Sequence, residues 1–130
     1  MQITNALILS LLFTTCASIA NCPEPQSLDI QTSIKKRGVE VEGHGFMDIV
    51  TISVPQSVSR IPFESIQLTY GEVAEYWIPL DTKVYHDRII AKLNGYQASI
   101  EGFEFQVNYT NGLCSFYQTG SISSAYSKVN

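Results

Sequence analysis

His44 and His86 are the only histidines in a chain of 130 residues, and they are the side chains best suited to acid–base or metal chemistry near neutral pH. An imidazole gains or loses its proton close to neutrality and ligates zinc or copper through its neutral form. Gly43-His44-Gly45 reads as a turn, His86-Asp87 as the approach to a strand, and Glu42 or Asp48 could add a carboxylate. Such a His, His, Asp set could serve a small metal-binding protein or hydrolase if two loops remote in sequence met. Nothing in the spacing requires that meeting, and two surface histidines is the plainer reading. No Gly-x-Ser-x-Gly elbow, His-Glu-x-x-His pair or phosphate-binding glycine loop is present. Glu72 and Glu75, near Trp77, read as solvated charges, because a glycosidase pair is defined by its separation across a cleft. The expectation is a protein without catalytic residues or a cofactor.

Aromatic placement offers binding chemistry instead. Tyr76-Trp77 is followed by Tyr85, and Tyr117 falls on the strand face opposite the predicted core. Stiff amphipathic rings bury much area at low entropic cost, so exposed Tyr and Trp anchor proteins and sugar rings. Adjacent strand residues point to opposite faces, hence Tyr76 and Trp77 cannot both enter one core. Asn108-Tyr109-Thr110 is a glycosylation sequon, meaningful at Asn108 only if the source is eukaryotic.

These groups need an address and a scaffold. Ile3 and Ala6 to Phe13 form the apolar centre of an export signal, and Ser18-Ile19-Ala20 supplies small residues for cleavage near Ala20. The apolar run is shorter than the roughly 20 residues that cross a bilayer, so no stable membrane anchor is expected after cleavage. Residues 1–20 are therefore read as a signal peptide, 21–119 as the domain and 120–130 as a flexible tail, in a secreted or periplasmic protein. Loss of Cys16 with the leader leaves Cys22 and Cys114, an even pair in an oxidising compartment, and a disulfide is expected. A net charge of −4, with basic residues scattered apart from Lys35-Lys36-Arg37, argues against nucleic acid as a partner.

The pattern from Leu28 onward alternates with a period of two, and no useful length repeats at helical spacing. The chain reads as all-β: a small antiparallel β-sandwich, with a small closed β-barrel as the alternative. Lys35-Lys36-Arg37-Gly38 reads as a hairpin tip before Val39. Asn94-Gly95 predicts a type I′ turn joining strands 88–93 and 96–100, since both residues tolerate positive φ. Asn111-Gly112 predicts a second two-residue hairpin, with Tyr109 opposite Cys114 and Val107 opposite Phe116. Val73 to Ile78 reads as a strand ending at Pro79.

Cys22-Pro23-Glu24-Pro25 just past the leader, with a Cys-x-Phe-Tyr strand at Cys114 to Tyr117, resembles small exported bacterial proteins of uncharacterised function. The resemblance covers the two ends of the mature chain. It implies export from a Gram-negative cell and brings no active residues with it. From residues and scaffold together, the expected function is an exported binding module for an unknown protein or glycan, through Tyr76, Trp77, Tyr85 and Tyr117. A secreted virulence or defence factor and the His44–His86 metal protein are the alternatives.

Overall fold

The computed structural model describes residues 21–24, 27–41, 45–70 and 77–127. The leader, His44, Glu72, Glu75 and Tyr76 lie outside them, as do the last three residues. In chain order the elements are β1 (Gln31–Val41), β2 (Gly45–Pro55), β3 (Ser57–Val58), β4 (Ile61–Tyr70), β5 (Ile78–Pro79), β6 (Thr82–Tyr85) and β7 (Arg88–Tyr96). A helical turn α1 (Gln97–Ile100), β8 (Phe103–Thr110), β9 (Ser115–Ser121) and helix α2 (Ile122–Ser127) complete them.

The strands form two antiparallel sheets, ordered β1-β2-β7-β6 and β3-β4-β8-β9, with β5 also paired to β4. Among the described residues neither sheet closes on itself, which makes the architecture a sandwich and not the closed barrel. Alternation does the sorting: Val50, Ile52 and Val54 of β2 and Ile89 and Ala91 of β7 meet Ile66, Leu68, Phe105, Val107 and Tyr109 of the other sheet. A β-bulge between Phe63 and Ser65 inserts Glu64 into β4, so that Ile61 and Phe63 before it and Ile66 and Leu68 after it all turn inward. The Cys22–Cys114 disulfide is formed, with Cα atoms 5.5 Å apart. It ties the start of the domain to the β8–β9 loop, where Cys114 is buried.

The hairpin expected at Asn94-Gly95 does not exist. β7 runs straight through it, with Asn94 paired to Ile49 and Gly95 to Asp48 of β2. Tertiary packing explains the glycine: a Cβ on Gly95 would lie 2.5 Å from Cγ2 of Ile100, which α1 folds back onto the strand. Gly95 provides room, not positive φ. The type I′ geometry occurs at Ser59-Arg60, where φ is +50° and +66° and Val58 pairs with Ile61. Neither residue advertises such a turn. Lys35-Lys36-Arg37 is not a tip either, because β1 continues to Val41 and pairs Lys36 with Asp48 and Arg37 with Met47. Antiparallel hydrogen bonding to β2 satisfies that backbone.

The Asn111-Gly112 hairpin is real, with a longer loop than expected. Thr110 pairs with Ser115 and Tyr109 with Phe116, so residues 111–114 form the connection. Asn111 Oδ1 accepts from the backbone N–H groups of Leu113 (2.9 Å) and Cys114 (2.7 Å), and Gly112 adopts φ +91°. The side chain thus takes over the turn's hydrogen bonding. The register moves by two, which leaves every side chain on its predicted face. Of the strand expected from Val73, the described part is Ile78–Pro79.

The loose tail expected after residue 119 is also corrected. β9 extends to Ser121, and α2 buries Ile122, Ala125 and Tyr126, whose spacing of three and four puts them on one helical face. Tyr126 donates a 2.7 Å hydrogen bond to Oδ2 of Asp48, the one buried charged residue among those described. Removing that donor strands a buried carboxyl oxygen. Tyr126→Phe is therefore expected to lower stability by about 1–3 kcal/mol, read from urea unfolding. Conversely, Ser59→Asn with Arg60→Gly matches the positive-φ turn, and the double variant should gain on the order of 1 kcal/mol in the same assay.

Candidate functional site

The predicted contact residues do not converge. Trp77 precedes β5 on one edge of the second sheet and Tyr117 sits on β9 at the other edge, with β4 and β8 between them. Neighbouring strands lie about 4.8 Å apart, so the two backbones are separated by roughly 14 Å. Tyr85 ends β6 in the other sheet. All three rings are exposed, and Tyr76 lies outside the described residues.

Tyr117 stands in a shaped environment. It is 65% exposed on the outer face of the second sheet, in one cross-strand row with Asn108 of β8 and Ser65 of β4. Gln106 Nε2 donates to Asn108 Oδ1 (2.6 Å), and Asn108 Nδ2 donates to Ser65 Oγ (3.1 Å). Those two bonds fix which way the amide of Asn108 points. At the end of the row is a pocket of about 430 Å³ lined by Glu64, Asn108, Tyr109, Ser115, Phe116 and Tyr117. The bulge that re-aims β4 is what brings Glu64 to this mouth.

Beneath the pocket the aromatic packing is stiff. Tyr109 and Phe116 are stacked, centroids 5.2 Å apart and planes 7° from parallel, and Phe63 meets Tyr109 edge-on at 5.9 Å. The Tyr109 hydroxyl reaches across the sandwich and donates to the carbonyl of Pro55 (2.6 Å), linking the second sheet to the end of β2. Burial pushes the Tyr109 phenol up to about 12, against a smaller lowering by the Arg88 guanidinium. Arg88 is itself held by Asp29 and Ser53: Nη1 donates to Asp29 Oδ2 (2.9 Å) and Nε to Ser53 Oγ (2.9 Å). Tyr126 is raised further, first by burial and then by its hydrogen bond to Asp48.

The pocket offers a carboxylate, an oriented amide, a hydroxyl and an exposed ring. That set suits recognition of a polar, ring-bearing ligand.

The histidine constellation fares differently. His86 occupies the β6–β7 turn with φ +53°, exposed and edge-on to Tyr85 with centroids 4.4 Å apart. Asp48, considered as a carboxylate for a metal, is buried and bonded to Tyr126. No three His, Cys, Asp or Glu residues among those described cluster as metal ligands, and His44 lies outside them. No described helix is long and apolar enough to cross a membrane.

Ser65, Gln106 and Glu64 escaped the sequence reading. They matter only because β4 pairs with β8, a contact between strands about forty residues apart that alternation cannot reveal. Compared with known proteins, the chain matches no family model, no curated protein and no solved structure.

The raised tyrosine pKa has a linkage consequence. An unfolded tyrosine ionises near pH 10, whereas folded Tyr109 keeps its proton to about 12, so over that window the unfolded state binds fewer protons. The contribution is whole below pH 10 and is lost as pH rises toward 12. Urea midpoints should fall across this range, and Tyr109→Phe should make the fall shallower even though it also removes the bond to Pro55.

Proposed function

We propose that this protein is an exported binding module that takes a glycan, or a sugar-like polar ring, at the Tyr117 pocket. The observation that carries the reading is the exposed Tyr117 ring beside an Asn108 amide oriented by Gln106 and Ser65. A sugar presents an apolar ring face for stacking and hydroxyls at its edge, and the pocket answers with an aromatic plane, an amide and the Glu64 carboxylate. Its volume lies within the common range for small-ligand sites. Export is supported by the Cys22–Cys114 disulfide, which persists in oxidising compartments, and by the apolar leader that ends in Ser18-Ile19-Ala20.

Asn108 has two incompatible possible uses. A glycan attached to its sequon nitrogen would sit in the pocket itself and cover Tyr117, so a modified Asn108 excludes ligand binding there. Intact mass of the native product, before and after reduction, reads the cleavage point, the disulfide and any sugar at Asn108 together.

The direct test is a glycan array followed by titration calorimetry on any hit, comparing the protein with Tyr117→Ala and with Trp77→Ala. Loss of a stacking ring worth about 1–2 kcal/mol weakens binding roughly ten-fold. That loss is expected for Tyr117→Ala and not for Trp77→Ala. An array without hits, or equal affinity in Tyr117→Ala, would remove the Tyr117 pocket from consideration.

A further inference from the structure

We propose that β6 is a docking edge for an extended acidic peptide segment of another protein, which adds as a further strand to the first sheet. This surface lies in the sheet opposite the one that carries the Tyr117 pocket, and the inference does not depend on the reading given for that pocket.

Among the described residues β6 ends its sheet, so the backbone polar groups on its outer edge have no strand partner there. Thr82, Lys83, Val84 and Tyr85 are all exposed. Val84 is the informative one. Its register partner is buried Ile89, which places Val84 on the core-facing side of the sheet, yet it is 61% exposed. The apolar layer is thus one strand short at this edge. A strand laid beside β6 would cover Val84 with its inward side chains and satisfy the edge with its backbone.

Charge selects the kind of strand. The outward side chains of β6 and β7 include Lys83, Ile90 and Lys92, and together with Asp81 and Thr82 they line a groove of about 280 Å³. Neither lysine makes an ion pair with another described residue. Lys35 is exposed on the same outer face, on the far strand of the sheet. The outer face of the other sheet is the reverse, with Glu64 and Glu104 and no cation. Lys83 and Lys92 thus stand side by side on the outward face at the unfinished edge, while the carboxylates of Asp81 and Asp87 flank β6 at its two ends. Lysine on an edge strand also discourages pairing with a second copy of that edge, since like charges then approach. The same charge that blocks self-association favours Glu or Asp at the outward positions of an incoming strand.

The test uses the oxidised mature protein, labelled for amide NMR, and two soluble capped peptides, one alternating Glu with Val and one alternating Lys with Val. The expected result is a titration of Thr82 to Tyr85 amides by the Glu peptide alone, weakened about ten-fold or more by Lys83→Glu with Lys92→Glu. Both lysines are exposed, so this variant keeps its fold, checked by an unchanged melting temperature. Tyr117→Ala should bind the Glu peptide with unaltered affinity, which separates this site from the pocket. The proposal is overturned by absence of binding, by equal binding of the Lys peptide, or by shifts that leave β6 and its neighbour β7 untouched. It is equally overturned by full retention in the double variant, or by sedimentation with vesicles of phosphatidylcholine and phosphatidylglycerol when neither peptide binds, which would make the face a lipid contact.

Discussion

The sandwich depends on closing the seam where the segment before β1 and the helix α2 cross between its two sheets. Two apolar sheet faces can be laid together along their centres, but each leaves an edge where buried side chains would meet water. Three contacts remote in sequence close this one. The Leu28 amide donates to Gln118 Oε1 (2.8 Å), carrying the entering chain from β9 toward β1. The disulfide holds the start of that crossing against the β8–β9 loop, closing a separation of 92 residues. At the other end α2 packs against β1, β8 and β9 and engages Asp48 through Tyr126. A chain-entropy estimate for so long a loop assigns the disulfide about 4–5 kcal/mol, comparable with the whole stability of a small domain.

Glycine takes the complementary part. Phe105 lies over Gly120 of β9, and a Cβ on that residue would enter the ring. Ile100 lies over Gly95 in the same manner. In both cases a large side chain fills the space that a missing one leaves, so a residue unfavourable in strands becomes a packing requirement.

With the seam closed, the two outer faces are free to differ, and they do. One carries a hydrogen-bonded polar row ending in the Tyr117 pocket, and the other carries lysines around half-buried Ile49 and Ile90. Strand alternation makes this separation automatic, because outward residues are exempt from the demands of the core. Substitutions at exposed Tyr117, Lys83 or Lys92 therefore remove no core contact.

Alternation and cysteine parity by themselves determined the all-β class, the Cys22–Cys114 pair, and the shared inner face of Val107, Tyr109, Cys114 and Phe116. Those properties follow from local periodicity and from the parity of the cysteines, and neither depends on which strand lies beside which. Partner choice is what only the tertiary structure decided. Asn94-Gly95 offers a turn that the pairing of β7 with β2 overrides, and Ser59-Arg60 accepts positive φ because β3 and β4 have no longer connection. The helical spacing of Ile122, Ala125 and Tyr126 was present in the sequence, but too short to stand out until a buried Asp48 gave it something to bind. Likewise Ser65, Asn108 and Tyr117 form one row only when β4, β8 and β9 lie side by side, since long-range pairing is set by the summed burial of whole strands and leaves no mark on any single residue.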